Sequence, residues 1–294
     1  MSGSDSPDDE LWFSVFNGAI TTHLVANPAA TESTSPASSA FASAPALTCN
    51  SSPTSNLAFA LRVTFTRSLW PFKCLSSSPL PPLHFHPYQS EYIRVLQGAL
   101  VVEIEGQLHR LSAGSSSDSD SGPGNPGDSG SGSGSGSSPN APAASDAIEI
   151  PPWKAHRFYP PADFGGVEQI VLLLAGTEPT SAGEPELDRD SACRLDAMFF
   201  ENWYAYQQDV WRRGGGALST LQAMAMFDAG GSYICIPAWI PFSKPCAVAL
   251  GVVLGRWLGG ILGYQPYYKD WTSNWDDACR RMRRVIWWRR FATL

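Results

Sequence analysis

No Cys-x-x-Cys pair occurs in this chain of 294 residues, and its six cysteines (Cys49, Cys74, Cys193, Cys235, Cys246 and Cys279) lie scattered. A disulfide framework is thereby excluded, and reduced thiols in an intracellular protein are expected. Positive charge is scarce as well. Twenty Lys and Arg stand against 27 Asp and Glu, a net charge of −7, so no broad cationic face exists to neutralise phosphates and no nucleic-acid partner is expected. The opening residues, MSGSDSPDDELWF, lack a basic stretch leading into an apolar one. No secretory signal is visible there; the protein is expected to be cytoplasmic or peripherally membrane-associated, not secreted, with the Asn50-Ser51-Ser52 sequon unmodified. Residues 114–147 lack every aromatic and every branched apolar side chain. Such a Gly/Ser tract behaves as flexible coil and reads as a disordered insertion. The Ser/Ala/Pro/Thr stretch 27–56 is a linker for a related reason: it has too little apolar surface to offset the entropy of ordering it.

What remains is rich in core material. Eleven Trp, nine Tyr and fourteen Phe sit in a chain that is 43% hydrophobic, ample for a globular domain. The segment 1–26 carries a short apolar run that can supply a strand or strand pair. From 57 to 113, runs such as LAFALRVTFT and EYIRVLQGALVVEIEG alternate, with Gly98 and Gly106 at hairpin positions. That spacing predicts an antiparallel sandwich or barrel. Strand signals resume after the insertion, in IEIPPWKAHRF and VEQIVLLLAG. Closure entropy rises only logarithmically with loop length, so one domain over 57–176 tolerates the interruption. From 185 to 294 the pattern turns helical, with stops at Gly214-Gly215-Gly216 and Gly230-Gly231.

The chemistry concentrates in HFHPYQSEYIRVLQG, residues 84–98. Residues two apart on a strand face the same way, so His84 and His86 present both imidazoles to one side. The PYQS turn lets Glu91 arrive from the next strand, and His156 follows in IPPWKAHRF. Three imidazoles and a carboxylate suit a divalent metal: Fe foremost, or Mn, Ni, Cu or Zn. His23 and His109 stand alone on their strands and read as structural.

His84, His86, Glu91 and Gly98, with all three spacings between them, resemble the first motif of the cupin superfamily. IPPWKAHRF is similar to its second, with Trp153 where the family usually has Gly and Pro160 where an Asn often follows. The resemblance covers roughly 57–176. It implies a mainly β fold, a cupin-type antiparallel barrel or jelly roll with the metal inside near one mouth, here with a C-terminal helical extension. The layout also resembles cupin-domain oxidoreductases of fungal biosynthetic clusters. That implies oxidation of an aromatic or polyketide intermediate in secondary metabolism, with Glu91 doubling as a proton shuttle. A redox-neutral isomerase or cyclase and a non-catalytic binding cupin stay open, and a homodimer is implied by resemblance alone. Tyr88, Trp153, Phe158 and Tyr159 are candidates either for a pocket lining or for plain packing. Arg62 and Arg94 could pair with an acidic substrate group, although alternation turns Arg94 outward.

Gly251, Gly255, Gly259 and Gly263 recur every fourth residue in the apolar segment 246–263. On a helix they form one face open to close approach, and the segment would reach roughly 27 Å at the α-helical rise. Arg256 in its middle opposes a true span. A membrane-inserted segment, a helix buried on the barrel and an irregular loop all remain open. Six Arg mixed with Trp between 280 and 290 suit a membrane interface, so membrane contact through 246–290 is the second partner expectation.

Overall fold

The computed structural model describes residues 10–25, 57–70, 80–114, 145–178, 193–215 and 218–292. The linker 27–56, nearly all of the insertion 114–147, and both Cys49 and Cys74 lie outside the described residues. The two tightest turns follow from backbone sterics. Strands β5 (Glu91–Gln97) and β6 (Ala99–Ile104) join at Gly98, whose φ is +81° and where an added Cβ would lie 2.9 Å from Val167 Cγ2; the two strands belong to different sheets, so this turn is a crossing between sheets and not the expected hairpin. Strand β6 then pairs with β7 (Gln107–Ser112) across Glu105-Gly106, both with positive φ, 51° and 81°. Two consecutive positive φ values are what a two-residue hairpin loop needs to match strand twist.

The remaining strands are β1 (Glu10–Val15), β2 (Ile20–Leu24), β3 (Leu57–Thr66), β4 (His84–Phe85), β8 (Ala147–Ile150), β9 (His156–Tyr159), β10 (Gln169–Thr177) and β11 (Tyr233–Ile234). They form two antiparallel sheets, a six-stranded one ordered β1-β2-β3-β10-β5-β8 and a five-stranded one ordered β11-β4-β9-β6-β7. Inward residues of both, among them Leu61, Ile93, Leu100, Val102, Ile150 and Leu172, make one core. Strand β10 reads QIVLLLAGT, almost without alternation, because it is covered on both faces. Leu172 and Leu174 enter the core, whereas Leu173 and Ala175 pack with Val25, Leu57 and Ala60 on the other side.

This is the mainly β, cupin-type barrel that the motifs implied, with a C-terminal helical region. Its sheets do not stop at the 57–176 limits. Strand β2 pairs with β3 and brings the N-terminal pair into the larger sheet, while β11, from the segment expected to be helical, pairs with β4. Two residues long, β11 carries no alternation of its own, so only its partner reveals it.

Among the described residues, four α-helices follow the barrel. Helix α1 (Ala197–Arg212) starts at Asp196, whose side chain accepts from Phe199 N, and sends Phe199, Phe200, Trp203 and Tyr206 into the barrel core. Helix α2 (Thr220–Ala229) is capped by Ser219. Helix α3 (Ser243–Leu250) continues in wider π turns over Gly251–Gly259 and ends at Gly260–Leu262. Helix α4 (Trp275–Arg284) is capped by Asn274.

The segment 243–262 is long and apolar enough to cross a membrane by length and composition, but its contacts are those of a helix packed on protein. A Cβ at Gly255 would lie 2.6 Å from the Met224 carbonyl of α2, and one at Gly251 would lie 2.6 Å from the Tyr233 ring. Glycine lets α3 approach the α2 backbone that closely. Arg256 turns inward as well, donating to Asp228 through Nε at 2.7 Å and Nη2 at 2.9 Å.

Candidate metal centre

Strand β4 carries His84, and His86 follows directly after the strand end in the same extended run. His84 and His86 point to one side, and Phe85 between them points to the other, where it stacks on Trp153 with ring centroids 5.5 Å apart. Opposite β4, His156 of β9 is the register partner of His84. Glu91 opens β5 in the other sheet and reaches across the lumen. Its Oε2 lies 2.7 Å from His156 Nε2 and 3.5 Å from His86 Nε2. One ligand atom from each of these four residues falls within 4.8 Å of all the others. The structure thus brings together the whole set read from the sequence, contributed by strands β4, β5 and β9 and the turn after β4.

Which nitrogens face inward is decided by what holds the outer ones. His84 Nδ1 lies 2.9 Å from the Pro82 carbonyl oxygen, and His156 Nδ1 lies 2.8 Å from that of Lys154. His86 Nδ1 lies 2.9 Å from Ser232 Oγ, a hydroxyl that itself donates to Gly230 O at 3.0 Å. In each ring Nδ1–H is therefore the donor, and Nε2 is left for the centre. Ser232 is fully buried and lies 146 residues from His86 along the chain.

The electrostatics favour neutral His84 and His86 rings beside an ionised Glu91. Burial, then the neighbouring His156 and His86, hold His84 well below the ordinary imidazole value; burial lowers His86 too, against the pull of Glu91. Burial alone would raise Glu91, but the His156 and His86 rings beside it outweigh that and hold the carboxyl below its usual range. Neutral nitrogens and a carboxylate are the protonation states a metal needs.

Fit to a metal is tested by one atom. His86 Nε2 is buried and has no hydrogen-bond partner, a state that costs free energy in any protein interior. Together with the borderline donor set, that orphaned lone pair fits a divalent ion.

The second motif departs from the family pattern at Trp153, and the geometry shows the cost and its compensation. Trp153 has φ of 67°, the left-handed region where Gly is at ease. Its ring stacks on Phe85, its N–H donates to His86 O at 2.8 Å, and its carbonyl accepts from Lys244 Nζ at 2.6 Å. Those contacts hold the turn that delivers His156.

Among the expected pocket aromatics, Phe158 packs against the core, while Tyr88 and Trp153 are 51% and 40% exposed at the surface. Arg94 pairs with Asp146 at 3.0 Å, outside the lumen, and Arg62 pairs in register with His23 on the strand pair β2 and β3. The aromatic groups that approach the centre come from the helices. Phe227 of α2 meets His84 edge-on at 5.4 Å, and Tyr204 of α1 has its phenol held protonated by burial and then by the charge of Glu91. Ser232, Phe227 and Tyr204 had no signal in the sequence. Gly230-Gly231 before Ser232 read only as a helix stop.

No family model matches this chain. Curated relatives do. The Aspergillus niger protein named "Probable oxidoreductase yanE" is 37% identical over 223 residues, covering 75% of this chain and 70% of its own length. "Epoxidase atD" of Aspergillus terreus is 33% identical over 210 residues, covering 71% of this chain and 52% of its own. Among solved structures, a sugar phosphate isomerase from a cupin superfamily of Silicibacter pomeroyi overlaps 57% of this chain and 68% of its own, at 13% identity and a TM-score of 0.25.

Proposed function

The chain belongs to a fungal family of oxidoreductase enzymes built on the cupin barrel, and on that footing we propose that it catalyses a metal-dependent oxidation of an aromatic or polyketide intermediate in secondary metabolism. The observation that carries the reading is the orphaned Nε2 of His86 inside a four-residue donor cluster. His84, His86, Glu91 and His156 would hold the ion, iron foremost, which when bound supplies Lewis acidity and a one-electron redox couple at positions left open to substrate. The other roles belong to the protein. The barrel excludes water from the centre, which strengthens every electrostatic contact there. Pro82 O, Ser232 Oγ and Lys154 O fix the three ring orientations. Phe227 sets an apolar wall against His84, suited to a planar substrate. Both imidazole contacts of Glu91 fall on Oε2, and Oε1 is the oxygen proposed to take a proton from substrate.

Two measurements test this. Metal analysis of protein purified without chelator is expected to give near-stoichiometric metal; a content near zero that Fe, Mn, Ni and Zn all fail to restore would remove the reading. Oxygen uptake with candidate aromatic polyketides should accompany product. Turnover without uptake would instead assign a redox-neutral isomerase or cyclase, and ligand binding without product a non-catalytic cupin.

A further inference from the structure

One side of α3 is occupied by α2 and Tyr233; among the described residues the opposite side is largely open. Leu250, Val253, Trp257, Leu258, Ile261 and Leu262 project there, each between 36% and 59% exposed. Just ahead of the helix, Trp239 and Phe242 are each 82% exposed. Phe242 also has φ of 55°, a conformation that costs a bulky residue energy and persists only where its surroundings impose it. Trp287, beyond α4, joins the same surface with its ring centroid 6.3 Å from that of Trp257, and neighbouring Ile286 is 69% exposed. Isolated exposed apolar residues are ordinary on a protein surface, whereas a continuous set of this kind marks an interaction site.

The border of that surface is cationic. Arg283, Arg284, Arg289 and Arg290 are all exposed. Arg290 donates to the carbonyl oxygens of Gly260 and Ile261, beside the apolar side chains, and Arg289 donates to Arg283 O at 2.7 Å. Neutral acceptors position these two guanidiniums without cancelling their charge. Arg280 and Arg281 of the same run pair with Asp277, and Arg281 is buried against Asp196. A local excess of arginine in a chain of net charge −7 calls for an anionic counterpart.

We propose that this face docks on a membrane surface rich in anionic lipid, with α3 lying in the interfacial plane. Trp239, Phe242, Trp257 and Trp287 would sit at headgroup depth, the aliphatic side chains just beneath, and the arginines against lipid phosphates. Crossing the bilayer is disfavoured by two contacts already described: Arg256 would have to leave buried Asp228, and the glycine side would have to leave the α2 backbone. The surface is independent of the oxidoreductase reading and survives if that fails.

The test is flotation of the full chain with vesicles of phosphatidylcholine alone or with added phosphatidylserine. Binding to the anionic vesicles is expected, with at least roughly tenfold weaker partition onto the neutral ones and release by high salt. R283Q/R289Q should lower partition by roughly twenty-fivefold, since each cation near the surface contributes about a factor of five. W257S/I261S, at exposed positions, should lower it by at least about tenfold; circular dichroism confirms that both variants fold. The lipid and salt arms need no variant. Equal binding to neutral vesicles, or none to anionic ones, overturns the proposal. So does a dimer in sedimentation velocity that W257S/I261S dissociates, which would assign the face to a second copy. Resistance to carbonate extraction would overturn it in favour of integral insertion.

Discussion

Ser232→Ala is the perturbation that tests most directly how the centre is built. The Ser232 hydroxyl accepts from His86 Nδ1 and donates to Gly230 O, and the residue is fully buried. Alanine leaves both groups without a partner where water has no ready access, at a cost of about 1–3 kcal/mol each if nothing rearranges. The His86 ring can relieve its part by moving the proton to Nε2, 3.5 Å from Glu91 Oε2, but that nitrogen is the one a metal needs. The substitution should therefore reach metal affinity as well as stability. Loss of an outer hydrogen bond on a ligand histidine typically weakens binding by roughly 10–100-fold. Metal competition against a chromophoric chelator reads the affinity, and nitrogen-15 spectra of histidine-labelled, metal-free protein read the tautomer. The expected result is a weaker site with the His86 proton displaced toward Nε2. Unchanged affinity in a folded S232A protein, with the proton still on Nδ1, would refute the idea that Ser232 selects the coordinating nitrogen.

Three further outcomes follow from the packing and the charges. Gly255→Ala places a Cβ 2.6 Å from the Met224 carbonyl, so α3 must shift and stability should fall by about 1–3 kcal/mol in urea unfolding; an unchanged midpoint would show that α3 does not rest on α2. Asp228→Ala leaves Arg256 without its buried partner and should cost about 3–5 kcal/mol, seen as a clear drop in the thermal midpoint. Burial holds His84 and His86 below the ordinary imidazole range, so they stay neutral as pH falls through about 6.5, where a free imidazole is half protonated. Metal titrations should then show affinity persisting below that pH and failing only at lower values; half-loss at the free-imidazole value would contradict the buried arrangement.

The primary structure by itself determined the parts that depend on short-range geometry. A strand repeats every two residues, so His-x-His had to face one way, and Gly106 marked the hairpin between β6 and β7, whereas Gly98, expected at a hairpin, carries the chain from one sheet to the other. His84 and His86 were legible from backbone periodicity, Glu91 from the short turn that follows them, and His156 from the resemblance of IPPWKAHRF to a second cupin motif. What only the tertiary structure decided lies at long range. Ser232 meets His86 across 146 residues, Phe227 reaches the site from a helix, and β11 exists only because β4 offers it an edge. Arg256 could have opposed or served a membrane span on composition alone. Its direction was settled by Asp228, which sits where α2 and α3 pack glycine against backbone. Such pairings depend on how separately folded segments meet in space, and one segment's sequence carries no record of which neighbour it will meet.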